Sequence, residues 1–134
     1  MNDRRNFLKT ALIAVSGMAI GQVAVASESV NYAGIVYSAN NPGKWKEKVK
    51  GHAPEVNIEG KTVTITTNHG MTSKHYIVRH SLVAEDGTVL GATTFNPTDK
   101  KAVSTYELPE GNATKFYVTS FCNKHDLWVT EFTI

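Results

Sequence analysis

The residues able to do chemistry are few and unevenly placed. The chain has one cysteine and five histidines, and His125 follows Cys122 by three positions in Phe121-Cys122-Asn123-Lys124-His125-Asp126-Leu127-Trp128. A single thiol forms no disulfide within its own chain. It is a small buried hydrophobe, a nucleophile or a metal ligand. His69 and His75 bracket Gly70-Met71-Thr72-Ser73-Lys74, and His52 stands in Gly51-His52-Ala53-Pro54. His80 falls in mid-strand within His75-Tyr76-Ile77-Val78-Arg79-His80, where a histidine satisfied by its surroundings is the ordinary expectation.

Imidazole suits zinc, copper, iron or nickel, and a thiolate adds a soft donor. Structural zinc draws on four ligands, often with paired Cys-x-x-Cys spacings, and these are absent. Blue copper takes two His, one Cys and a weak axial Met, yet Met1, Met18 and Met71 all precede Cys122. Four imidazoles and one thiolate would make a five-coordinate centre with a sixth position open. Such a centre suits iron doing one-electron chemistry on a small oxygen species.

Gathering these residues requires that their turns meet. Lys61–Thr67 alternates with Val63 and Ile65 on one face, and His75–Ala84 leads through Glu85-Asp86-Gly87 into Thr88–Phe95, a hairpin pattern. Asn96-Pro97 breaks the next run, Ala102–Leu108 is a further short strand, and Pro109-Glu110-Gly111-Asn112 is a turn. Lys115–Cys122 puts Phe116, Val118, Ser120 and Cys122 on one side, and Asp126–Ile134 alternates in the same way. Short strands at regular spacing without helical period predict an all-β, immunoglobulin-like antiparallel sandwich over 51–134. His52 then precedes the first strand of the sheet, and the other candidates sit where strands end. Three turns at one end of the sandwich would bring His52, His69, His75, Cys122 and His125 together. Residues 27–50, with Asn40-Asn41-Pro42-Gly43, read as an extended N-terminal arm rather than a helix.

The first 26 residues do not read as part of that domain. Asp3-Arg4-Arg5-Asn6-Phe7-Leu8-Lys9 precedes a weakly apolar run that ends in Ala24-Val25-Ala26, the order of an export signal with a small-residue cleavage site. The paired arginines resemble the twin-arginine signal of bacteria, with Asp3 where Ser or Thr is usual. The run is short for a membrane span and holds Gly and Ser, so cleavage and a periplasmic location without stable membrane insertion are expected. Of 14 basic and 12 acidic residues, this segment holds three and one, which leaves the remainder balanced. No basic face points to nucleic acid. Asn112-Ala113-Thr114 matches a glycosylation acceptor, which behind a bacterial export signal is a chance match.

Three motifs occur together and in order: Gly51-His52-Ala53-Pro54-Glu55-Val56, His69-Gly70-Met71-Thr72-Ser73-Lys74-His75-Tyr76-Ile77, and Cys122-Asn123-Lys124-His125-Asp126-Leu127-Trp128. Their combination resembles the iron domain of the superoxide reductases, the desulfoferrodoxin and neelaredoxin family, from about Lys44 onward. The resemblance implies a mononuclear non-haem iron held by His52, His69, His75 and His125, with Cys122 as axial ligand opposite the open position. It implies one-electron reduction of superoxide to hydrogen peroxide. A single cysteine leaves no place for the four-cysteine module that some relatives carry. The family usually places Glu-Lys directly before the first ligand histidine, where this chain has Lys50-Gly51. Glu47-Lys48 stands three residues further upstream, so Lys48 or Lys50 is expected to supply the attracting charge, with Lys124 a further candidate. Lys44, Lys46, Lys48 and Lys50 read equally well as a solvated arm. The alternative reading is an exported iron protein that uses the same centre for electron transfer or redox sensing. The electron donor is not legible, beyond its being expected in the periplasm, and sandwich edges leave a homo-oligomer open.

Overall fold

The computed structural model describes residues 34–134; the expected export signal and the start of the arm lie outside them. Eight strands are formed among the described residues: β1 (Val36–Tyr37), β2 (Glu55–Glu59), β3 (Thr62–Thr67), β4 (Ile77–Ala84), β5 (Val89–Thr94), β6 (Ala102–Glu107), β7 (Lys115–Cys122) and β8 (Asp126–Thr133). Their alternation is what makes them strands. In β3 every second residue, Val63, Ile65 and Thr67, is buried between half-open threonines, and β7 buries Phe116, Val118, Ser120 and Cys122. Period-two burial places one face on a core and leaves the other to solvent.

One sheet runs β1-β8-β7-β4-β5 and the other β2-β3-β6. All pairings are antiparallel except β1, which lies parallel to β8 with Val36 opposite Leu127 and Tyr37 opposite Trp128. The fold is thus the immunoglobulin-like β-sandwich that the alternation indicates. Its interior is layered. Val63, Ile65, Leu82, Ala84, Leu108, Phe116 and Val118 form one apolar cluster, and Ile77, Phe95, Ala102 and Cys122 form a second. Between them along the strands lie Thr67, His80, Ser104 and Ser120, all buried. Each fully buried aliphatic or aromatic side chain in the two clusters contributes about 1.5–3 kcal/mol.

The arm departs from the extended reading. Gly43–Lys48 is 3-10 helical and Val49–His52 forms one α-helical turn, α1, so His52 ends a helix. Proline at 42 has the fixed φ suited to entering a helical turn, and a unit this short shows no period in sequence. The sheets position the candidate ligands: β3 ends just before His69, β4 begins just after His75, and β7 and β8 flank the Cys122–His125 turn. Among the described residues no helix is long and apolar enough to cross a membrane.

Candidate metal centre

The β7–β8 turn is the tightest of the three segments. Cys122 pairs with Asp126 across it, leaving Asn123, Lys124 and His125 as a three-residue loop closed by Asp126 at φ 71°. Loops of this length commonly need a left-handed residue at their end, normally glycine because a Cβ is disfavoured there. Asn123 ties the loop to its neighbour: its Oδ1 accepts from the Tyr76 N–H at 3.0 Å, and its Nδ2 donates to the Lys74 carbonyl at 3.1 Å. The Trp128 indole N–H donates to the His125 carbonyl at 2.9 Å. On the third segment, Thr130 Oγ1 donates to the Pro54 carbonyl at 2.7 Å, which holds the end of α1 against β8.

These ties converge five side chains. One donor atom from each of His52, His69, His75, Cys122 and His125 lies within 4.8 Å of all the others. Nε2 of His69 and His75 are 3.0 Å apart, Nε2 of His75 and Nδ1 of His125 3.1 Å, and Nδ1 of His125 and Nε2 of His52 3.0 Å. A square of such an edge has its centre about 2.1 Å from each corner, the usual metal–imidazole bond length. The Cys122 Sγ stands 3.6 Å from His125 Nδ1 and 3.9 Å from His69 Nε2. It also accepts the backbone N–H of Lys124 at 3.5 Å.

The outward hydrogen bonds fix which atoms point inward. His52 Nδ1 faces the Lys48 carbonyl at 2.9 Å, and His69 Nδ1 faces the Gly70 carbonyl. A carbonyl only accepts, so each of these nitrogens carries the proton and each Nε2 presents a lone pair to the centre. Burial pushes His52 down to about 4, helped by the neighbouring imidazoles. His75 and His125 are lowered too, first by burial, then by the other imidazoles and by the charges of Lys48 and Lys124. His52, His75 and His125 are therefore held toward the neutral form, the state in which imidazole binds metal. Converging lone pairs with no proton between them repel unless a cation sits among them, and this donor set fits a divalent ion. The thiol is pushed up by burial, partly offset by the backbone N–H groups of Lys124 and His125.

The cluster is open on one side. Cys122 is 1% exposed and His52 4%, whereas His69, His75 and His125 are half-buried. Sulfur thus approaches from the core, and three of the four imidazoles border solvent. Of the lysines singled out by sequence, Lys48 and Lys124 act on the imidazoles, while Lys50 is an exposed residue of α1. His80 stays outside the cluster, with Nε2 2.8 Å from Thr67 Oγ1 and Nδ1 2.8 Å from Ser104 Oγ. Sequence reasoning passed over Trp45. Its indole ring packs edge-on against His125 with centroids 4.6 Å apart, and its Nε1–H donates to Asp126 Oδ2 at 3.1 Å. The available signal was an aspartate at the position where the loop calls for glycine.

Solved structures share this sandwich. A superoxide reductase from Giardia intestinalis superposes with a TM-score of 0.59 at 22% identity, over 63% of this chain and 99% of that one. The neelaredoxin of Ignicoccus hospitalis, also titled a superoxide reductase, gives 0.59 at 20% identity, over 78% and 98%. The superoxide reductase of Treponema pallidum gives 0.50 at 24%, over 60% and 66%. At such identities the likeness is one of fold. A comparison with curated protein sequences finds no match. The model of the desulfoferrodoxin family covers residues 44–131, well over half of the sequence and every one of the five converging donors, and the chain belongs to that family.

Proposed function

We propose that the protein is an iron superoxide reductase. The observation that carries this reading is the convergence of four imidazole nitrogens and one buried sulfur at a solvent-facing end of the sandwich. Three imidazoles and the thiol sit on turns tied to one another, so the set is held before any ion arrives, and preorganisation of this kind favours binding. Iron held by these five residues would supply the one electron that, with two protons, reduces superoxide to hydrogen peroxide.

The chain's own residues do the rest. Lys48 and Lys124 make the open side positive and draw the superoxide anion toward it, an effect on encounter that salt screens. The action of the Lys48 charge on His75 and His125 supports Lys48 as the attracting cation, with Lys50 exposed on α1 nearby in sequence. The apolar roof of Ile77, Phe95 and Ala102 over Cys122 keeps water from the sulfur side. Cys122 would hold the iron together with the four histidines, and its thiolate would supply electron density to it. The reading extends to export by the twin-arginine route, which carries folded proteins and lets iron be loaded before crossing, and to a periplasmic electron donor.

Stopped-flow or pulse mixing of the ferrous protein with superoxide tests this. The expected outcome is oxidation near the diffusion limit, with a visible thiolate-to-ferric charge-transfer band. K48A is expected to slow the encounter roughly tenfold at low salt and to flatten its dependence on ionic strength. Copper binding in place of iron, or no metal, would overturn the reading. Iron with slow oxidation would move the function to electron transfer or sensing.

A further inference from the structure

The segment Gly43–Lys48 touches two of the four imidazoles by different means. The Lys48 carbonyl accepts the Nδ1–H of His52, and the Trp45 ring stands edge-on to His125 at an interplanar angle of 81°. The segment has no buried residue of its own to anchor it. Its long-range polar tie is the hydrogen bond from the Trp45 indole to Asp126, across 81 positions of sequence. Asp126 meanwhile occupies a left-handed conformation, at φ 71°, that costs a residue with a Cβ of the order of 1 kcal/mol or more. A glycine would satisfy the turn without that cost, so the carboxylate has a use beyond the turn.

Resting on the metal-centre reading above, we propose that Trp45 and Asp126 are positioning residues. Their hydrogen bond is a latch that holds the Gly43–Lys48 segment against the Cys122–His125 loop and so fixes the ring orientations of His125 and His52. Asp126 reaches the centre through Trp45 and the loop backbone, and neither residue contributes a ligand atom. The latch also carries Lys48 to its place beside the imidazoles, coupling the attracting charge to the geometry of the site. Tyr37 packs edge-on to Trp45 with centroids 6.5 Å apart and against Trp128 at 5.6 Å, which seats the indole against the end of β1.

The variants D126G, D126N and W45F separate the latch from the turn, with cobalt(II) as the probe because its thiolate charge-transfer and ligand-field bands report ring geometry. D126G relieves the left-handed strain but removes the acceptor. It is expected to lose cobalt to a chelator roughly tenfold faster, the usual size of an effect one step removed from the ligands, and to shift the ligand-field bands. Hydrogen exchange of the Trp45 indole N–H in the metal-free protein is expected to speed up in the same variant. D126N keeps an amide oxygen as acceptor and tolerates the conformation, so it should retain both properties, while W45F, which has no indole N–H to exchange, should match D126G in cobalt loss and band shift. Wild-type retention and unchanged bands in D126G would overturn the latch, as would loss in D126N equal to that in D126G. Because neither superoxide nor iron is used, slow superoxide chemistry in the wild type would leave the latch standing. Failure of the wild type to bind cobalt at all would overturn the centre and the latch together.

Discussion

On the proposed reading, Cys122 is the residue on which the chemistry turns. Burial holds its thiol protonated in the metal-free protein, so metal uptake near pH 7 must displace a proton, while His52, His75 and His125, with their lowered affinities for protons, release few. Affinity therefore falls as pH falls, by about tenfold per pH unit for each proton displaced. Replacing Cys122 by Ser keeps the volume nearly unchanged but removes the soft donor. The expected outcome is loss of the charge-transfer band and metal affinity lower by at least on the order of a hundredfold, read by competition with a chelator. A C122S protein that kept the band would show that sulfur is not a ligand. The five donors were legible because their types are rare and their spacings are those of turn ends. Trp45 and Asp126 were not, because a tryptophan in a lysine-rich arm and an aspartate in a loop have many ordinary explanations.

At the scale of elements, the strands of six residues or more were legible from their sequence patterns. The runs now seen as β3, β4, β5, β6, β7 and β8 agree with their sequence signatures to within two residues at each end. What escaped are the units too short to repeat: the two residues of β1, the 3-10 segment and α1, whose positions depend on contacts made far along the chain. The mostly exposed β2 escaped for a related reason: Glu55-Val56-Asn57-Ile58-Glu59 alternates, but over only five residues with two apolar positions. The polar layer gives the strands a testable property. His80 is fully buried between Thr67 and Ser104, and Thr67 also bonds Ser120 at 2.8 Å, joining four strands at one level. Desolvation lowers His80 from 6.5 to about 4. Above pH 6.5 it is neutral folded or unfolded and adds no pH dependence. Between 6.5 and 4 the unfolded chain takes up a proton that the folded chain refuses, so stability falls, by roughly 3 kcal/mol over the window. Denaturation of metal-free wild type and H80N across this range is expected to show an acid slope shallower by one proton in the variant. The other histidines are common to both and cancel. Equal slopes would mean that His80 takes up its proton without leaving the fold.

For the molecule as a whole, the layout places its tryptophans in an unusual relation to the site. The sequence has two, and both flank the centre: Trp45 stands against His125, and the fully buried Trp128 has its ring 5.8 Å from His52. Each indole therefore lies within one side chain of the metal position, well inside the range over which an open-shell ion or a visible absorber drains an excited state. All tryptophan emission of the protein should dim in proportion to metal occupancy, and dim further when the ferric charge-transfer band appears. Titration of ferrous ion into the metal-free protein, followed by oxidation, would read both steps from fluorescence alone. Emission unchanged at full occupancy would mean that the ion sits elsewhere. On this layout the protein carries its own optical gauge of loading and redox state, with no label attached.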